Sequence, residues 1–184
     1  MNVQLGRSSC SASLSKRREP LSRTTLSASQ QVSYNLATGE ITMRSPVRIS
    51  QPGTEVTGDR PTANVRRRCL IGVGHVVVRD NVRPSRGRRS TLTTDRLVIE
   101  GMARRFTATG RVRYTESYRR AVANNGVLDR RVQILTLTGD AVLSGGVTRV
   151  RARIVRYDLV TSDVRASGEP VTVHRLTPQA NHGC

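Results

Sequence analysis

The chain has 184 residues, enough for one domain with a sizeable core, and its formal charge of +18 is almost wholly arginine, Lys16 being the single lysine. One Phe and no Trp leave Val, Ile, Leu and Ala to build the interior, and these residues favour pleated, half-buried strands. No apolar run approaches the roughly 18 to 20 residues of a membrane-spanning helix. Cys10, Cys69 and Cys184 stand at spacings unlike any metal or redox motif, so they define neither a disulfide framework nor a compartment.

Taken in chain order, residues 1–29 are rich in Ser and Arg and hold one acid, Glu19. That composition resembles an organellar transit peptide more than a secretory signal, which needs an apolar stretch of about 7 to 15 residues. A disordered tail or a misassigned start fits equally well, and the segment is left out of the fold.

From residue 30 one unit recurs five times, with Gln30, Asp59, Asp95, Asn124 and Arg153 as position zero and spacings of 29, 36, 29 and 29. Five residues on comes a turn former or acid: Asn35, Asn64, Glu100, Asp129 and Asp158. Fifteen residues on comes a small residue, Ser45, Gly74, Gly110, Gly139 or Gly168. Between these anchors apolar residues alternate. Offset 4 reads Tyr34, Ala63, Ile99, Leu128, Tyr157, offset 11 reads Ile41, Leu70, Phe106, Leu135, Val164, offset 13 reads Met43, Gly72, Ala108, Leu137, Ala166, and offset 17 reads Val47, Val76, Val112, Ala141, Pro170. The intervening offset 12 is Thr42, Ile71, Thr107, Thr136, Arg165, mostly polar, as the solvent face of a strand should be.

Each unit is therefore two strands and two turns. Gly145-Gly146 marks a tight hairpin between the fourth and fifth units, and the seven extra residues of the long spacing fall in the Arg-rich stretch Asn81 to Ser90, read as a loop insertion. A glycine repeated within the apolar face permits a bulge that bends the strand. The expected fold is all-β: about five strand-turn-strand repeats bent into two facing antiparallel sheets with an open groove. It spans residues 30–176, with the last strand ending near His174 and a polar tail at 177–184.

The segment GDAVLSGGVTRVRARIVRYDLVTSDVRASGEPV, from Gly139 to Val171, resembles the OstA-like repeat of the LptA-type lipopolysaccharide transport family. Tyr34-Asn35 followed by LATGEITMRSPV, and Thr94-Asp95-Arg96 followed by LVIEGMARRFTATGRV, match the same pattern, so the resemblance covers about residues 30 to 173. It implies a β-jellyroll with a V-shaped section that holds acyl chains and stacks by edge strands into a periplasmic bridge. The partners implied are lipopolysaccharide or a related glycolipid, other OstA-like domains, and further copies of the chain. The implied location is the periplasm.

Under that reading the lipid-groove candidates are Ile41, Met43, Val47, Ile49, Ile99, Phe106, Val112, Leu135, Leu137 and Val150, all of them equally suited to be ordinary core. Arg44, Arg48, Arg111, Arg113, Arg149 and Arg151 flank apolar positions and suit headgroup phosphates, or are simply solvated. No catalytic constellation, metal set or cofactor motif is read. His75 with Cys69 lacks two further ligands, and His174 and His182 come at no recognised spacing. Gly72-Val73-Gly74 lacks the third glycine of a dinucleotide loop, and Asp158 with Asp163 reads as turn residues rather than an acid pair. The charge leaves open a nucleic-acid-binding β protein, disfavoured by the scarcity of aromatic stacking platforms, and a purely structural, self-assembling repeat.

Overall fold

The computed structural model describes residues 25–28, 31–44, 47–51, 53–80, 89–101 and 103–175. The anchors Gln30 and Ser45, most of the 81–90 insertion, His182 and the tail 177–184 lie outside these residues, as does most of segment 1–29.

Fourteen strands are described. Six short ones come first: β1 (Thr25–Ala28), β2 (Val32–Asn35), β3 (Glu40–Met43), β4 (Val47–Gln51), β5 (Thr54–Gly58) and β6 (Thr62–Asn64). Six long ones follow: β7 (Cys69–Asp80), β8 (Ser90–Glu100), β9 (Arg105–Glu116), β10 (Arg119–Asp129), β11 (Ile134–Gly145) and β12 (Thr148–Asp158). β13 (Val164–Ser167) and β14 (Thr172–Arg175) complete the set.

All pairings are antiparallel, and β7 to β12 pair consecutively. Each long strand slips register near its middle, between Val73 and Val76, Thr93 and Arg96, Val122 and Asn125, and Thr138 and Ala141. The slips fall on the repeat glycines or on the position-zero residues that lie against them. Gly74, Gly110 and Gly139 have φ near +80°, and His75, Arg111 and Asp140 after them are left-handed too. Two consecutive left-handed residues make a bulge that turns the strand out of its sheet.

The bulges divide one continuous sheet into two layers. β7 pairs with β6 before its bulge and with β5 after it, and β12 pairs with β14 before its bulge and β13 after it. The first layer runs β2, β3, β6, residues 69–73, 96–100, 105–109, 125–129, 134–138 and 154–158, then β13. The second runs β1, β4, β5, residues 76–80, 90–94, 112–116, 119–123, 141–145 and 148–152, then β14. The five-fold unit is thus built from ten bent strands. The third of these is broken into β5 and β6 at a segment containing Pro61, which cannot donate to a ladder.

The apolar faces of both layers form one buried cluster, from Ile41, Met43 and Leu70 through Leu97, Val112 and Leu137 to Val155 and Tyr157. The two end strands of each layer, β1 and β2 at one end and β13 and β14 at the other, do not pair with each other. The molecule is an open β-jellyroll, as the alternation and the bend glycines require. It starts earlier than residue 30, because β1 pairs with β4.

Two turn readings gain atomic detail. Gly145 pairs with Thr148 across a two-residue hairpin. At offset five, Asn35, Asn64, Asp129 and Asp158 close their turns through side chains: Asn35 Oδ1 accepts the Ala37 amide at 2.9 Å, and Asp129 Oδ1 accepts that of Arg131 at 2.9 Å. Cys69 is buried and disulfide-bonded, a pairing that spacing alone did not reveal.

Candidate functional site

The interior between the layers is the site that the repeat builds. Of the ten apolar candidates, Ile41, Met43, Val47, Ile49, Phe106, Val112, Leu135 and Leu137 lie in the buried cluster, and Ile99 packs against it half-buried. Val150 is 8% exposed but stands outside that cluster. Alternation brings them together from both layers: Ile41, Met43, Ile99, Phe106, Leu135 and Leu137 from the first, Val47, Ile49, Val112 and Val150 from the second. In the middle the two faces fill each other, with Leu97, Ala108, Leu137, Ala141 and Val155 all 0% exposed.

Cover is lost at the ends. Val32 and Tyr34 on β2 face the same way as their partners Met43 and Ile41, yet are 51% and 50% exposed. At the opposite end Val164, opposite Tyr157, is 38% exposed, and Val173, opposite Val150, is 64% exposed. Tyr34 and Val164 belong to the inward-facing repeat positions. They are uncovered, and among the described residues no strand lies beyond them.

On the side away from the bulges, polar side chains that the sequence reading did not single out bridge the layers. Tyr157 donates to Glu116 Oε2 at 3.0 Å, and Arg119 donates to the Tyr157 hydroxyl. Tyr157 and Tyr114 meet edge to face with centroids 6.5 Å apart. Burial raises the Tyr157 phenol above its usual range. Further along, Arg130, from the turn after β10, reaches Asp80 at 2.8 Å and the Thr54 hydroxyl at 3.2 Å, with its guanidinium over the Phe106 ring. Glu116 is the one sign that was legible: a carboxylate in step with the inward series Val112 and Tyr114, and 1% exposed.

The six arginine candidates stand outside the interior. Arg111 is on a bulge, where its fork grips Asp95 at 2.6 to 3.0 Å and holds that carboxyl below its ordinary range. Arg48, Arg113, Arg149 and Arg151 are exposed on the outer face of the second layer, and Arg44 is exposed just after β3. His75 pairs with Asp59 at 3.1 Å on another bulge. Asp158 caps its own turn, its carboxyl lowered by the Thr161 and Val160 amides. Among the described residues no three His, Cys, Asp or Glu side chains gather in a metal-binding group.

Comparison with known proteins places this architecture. A family model described as LptA/(LptD N-terminal domain) LPS transport protein matches residues 71–163, half of the chain. The chain belongs to the LptA/(LptD N-terminal domain) LPS transport protein family. Among solved structures it is similar to LptH from Pseudomonas aeruginosa, described as the LptA-homologous periplasmic component of the lipopolysaccharide transport device. The TM-score is 0.60 at 14% identity, over 64% of this chain and 83% of that one. At that identity the likeness concerns the fold. No curated protein matches the chain. The residues matched by the LptA/LptD-type model begin within β7 and end just short of β13, so they cover the six consecutively paired long strands that form the middle of both layers.

Proposed function

We propose that this LptA/LptD-type chain is a non-enzymatic bridge component of lipopolysaccharide transport, located in the periplasm, that carries acyl chains against its apolar interior. The observation that carries the reading is an apolar lining left uncovered at both ends, by Val32 and Tyr34 at one and Val164 and Val173 at the other. Acyl chains enter there and reach the lining residues Ile41, Met43, Ile99, Phe106, Leu135 and Leu137 as the layers part. Edge strands β1, β2, β13 and β14 offer backbone groups unpaired among the described residues for stacking on further OstA-like domains, which would continue the lining from protomer to protomer. The disulfide at Cys69 supports an oxidising compartment such as the periplasm.

Photo-crosslinking tests the cargo. A photoreactive phenylalanine at Val32 or Val173, irradiated with lipopolysaccharide, is expected to form lipid adducts, whereas one at the outward-facing Thr136 is not. Equal labelling at all three positions, or none at the two inward ones, overturns the reading.

A further inference from the structure

We propose that the outer face of the second layer is a docking surface for an anionic lipid bilayer. Its outward residues alternate with buried ones, and six of them are exposed arginines: Arg48 on β4, Arg79 on β7, Arg113 on β9, Arg120 on β10, and Arg149 and Arg151 on β12. Among the described residues a single carboxylate shares that face, Glu55 on β5, which pairs with Arg79 at 3.1 Å and Arg48 at 3.6 Å. Arg151 reaches Asp140, on a bulge, only at 3.9 Å. Arg113, Arg120 and Arg149 make no ion pair among the described residues.

The first layer's outer face is different. There Arg96, Arg105, Arg156 and Arg165 are matched by Glu40, Glu100, Asp129 and Asp158, and Arg105 pairs with Asp129 at 3.9 Å. A compositional preference for arginine would load both faces alike and leave acids on both. Instead one face has six arginines against one acid and the other four against four. The asymmetry belongs to the face, not to the composition.

The shape selects the kind of polyanion. Register sets Arg120 opposite Ser144, and Ser144 opposite Arg149, so the backbones that carry these two arginines stand two strand spacings apart, about 10 Å. The residues between them, Thr93, Thr115, Val122, Val142 and Ser144, are short, so the cations project from a broad sheet. No aromatic residue lies among them to stack on bases, and a sheet face does not enter a nucleic-acid groove as a helix or a two-stranded ribbon does. An array of lipid phosphates suits the neighbouring Arg113, Arg120 and Arg149 on β9, β10 and β12, unpaired among the described residues, and Arg forks bind phosphate bidentately.

Co-sedimentation with phosphatidylcholine vesicles, with and without phosphatidylglycerol, tests the proposal on the full chain. Binding is expected only to the anionic vesicles and is expected to weaken with salt. The triple variant Arg113→Glu, Arg120→Glu, Arg149→Glu is expected to lose about a hundred-fold or more in partition, at about five-fold per arginine. The charge-matched control Arg96→Glu, Arg156→Glu, Arg165→Glu is expected to bind as the parent does. Replacing the first three by Gln gives an intermediate loss and guards against misfolding, with thermal melts run in parallel. Equal loss in both triple variants, undiminished binding in the first, or preference for an oligonucleotide over the vesicles overturns the proposal. The cargo reading stands apart from it: the first variant keeps the lipid adduct at Val32 if that reading holds.

Discussion

At Gly110 the backbone has φ +81°, and an added Cβ would lie 2.6 Å from Asp95 Oδ2 and 3.1 Å from Asp95 Cβ. The position-zero residue of the unit sits over the glycine fifteen positions later, which is why both anchors recur together. Gly110→Ala is expected to cost about 1–2 kcal/mol for the left-handed backbone alone, and more through the clash. Gly146→Ala, at φ +57° with nothing within 4 Å of the added atom, should show the backbone cost only. Urea denaturation of the two variants separates the contributions. Tyr157 gives a second prediction. Tyr157→Phe removes a donor from the buried Glu116 carboxylate and should destabilise by about 1–3 kcal/mol. Because the folded state raises the phenol, its contribution is fully present below the ordinary tyrosine value of about 10 and is lost as pH rises through the higher folded value. The alkaline fall in stability should be shallower in the Phe variant. Asp158 has the opposite sign: its lowered carboxyl contributes above about pH 3.9, and that contribution is lost as pH falls through the folded value. The difference in urea midpoint between parent and Asp158→Asn should therefore shrink in acid.

Among the elements, period-two alternation was enough to assign inward faces. Met43, Val76, Val112, Leu137 and Tyr157 are all at or below 2% exposure. The pattern also marked Tyr34 and Val164 as inward, and their partners show that they are, but alternation sets a side chain's direction and not what covers it. Cover needs a further strand, and among the described residues the sheet ends at β2 and β13. Those ends carry the element-scale prediction. If protomers stack by edge strands, Val32→Asp and Val173→Asp should each move the population towards monomers in concentration-dependent light scattering. The monomer's melting temperature should change little, since both residues are already half exposed or more. Unchanged oligomers would remove edge stacking from the reading.

Across the whole molecule, the sequence by itself determined an all-β chain of repeated units, the apolar lining and the family resemblance, because alternation, turn residues and bend glycines are local and recur at fixed offsets. Charge was legible as a total but not as a distribution. A strand's outward residues alternate in every unit alike, and only register assembles Arg113, Arg120 and Arg149 on one face and the carboxylates elsewhere. The Glu116–Tyr157 and Asp80–Arg130 bridges were hidden for the same reason, since each joins residues about 40 to 50 positions apart that meet only after the bulges fold one layer over the other. Tertiary structure alone decided which apolar residues are covered and where the cations gather, because both depend on which strands lie side by side and where the sheet stops.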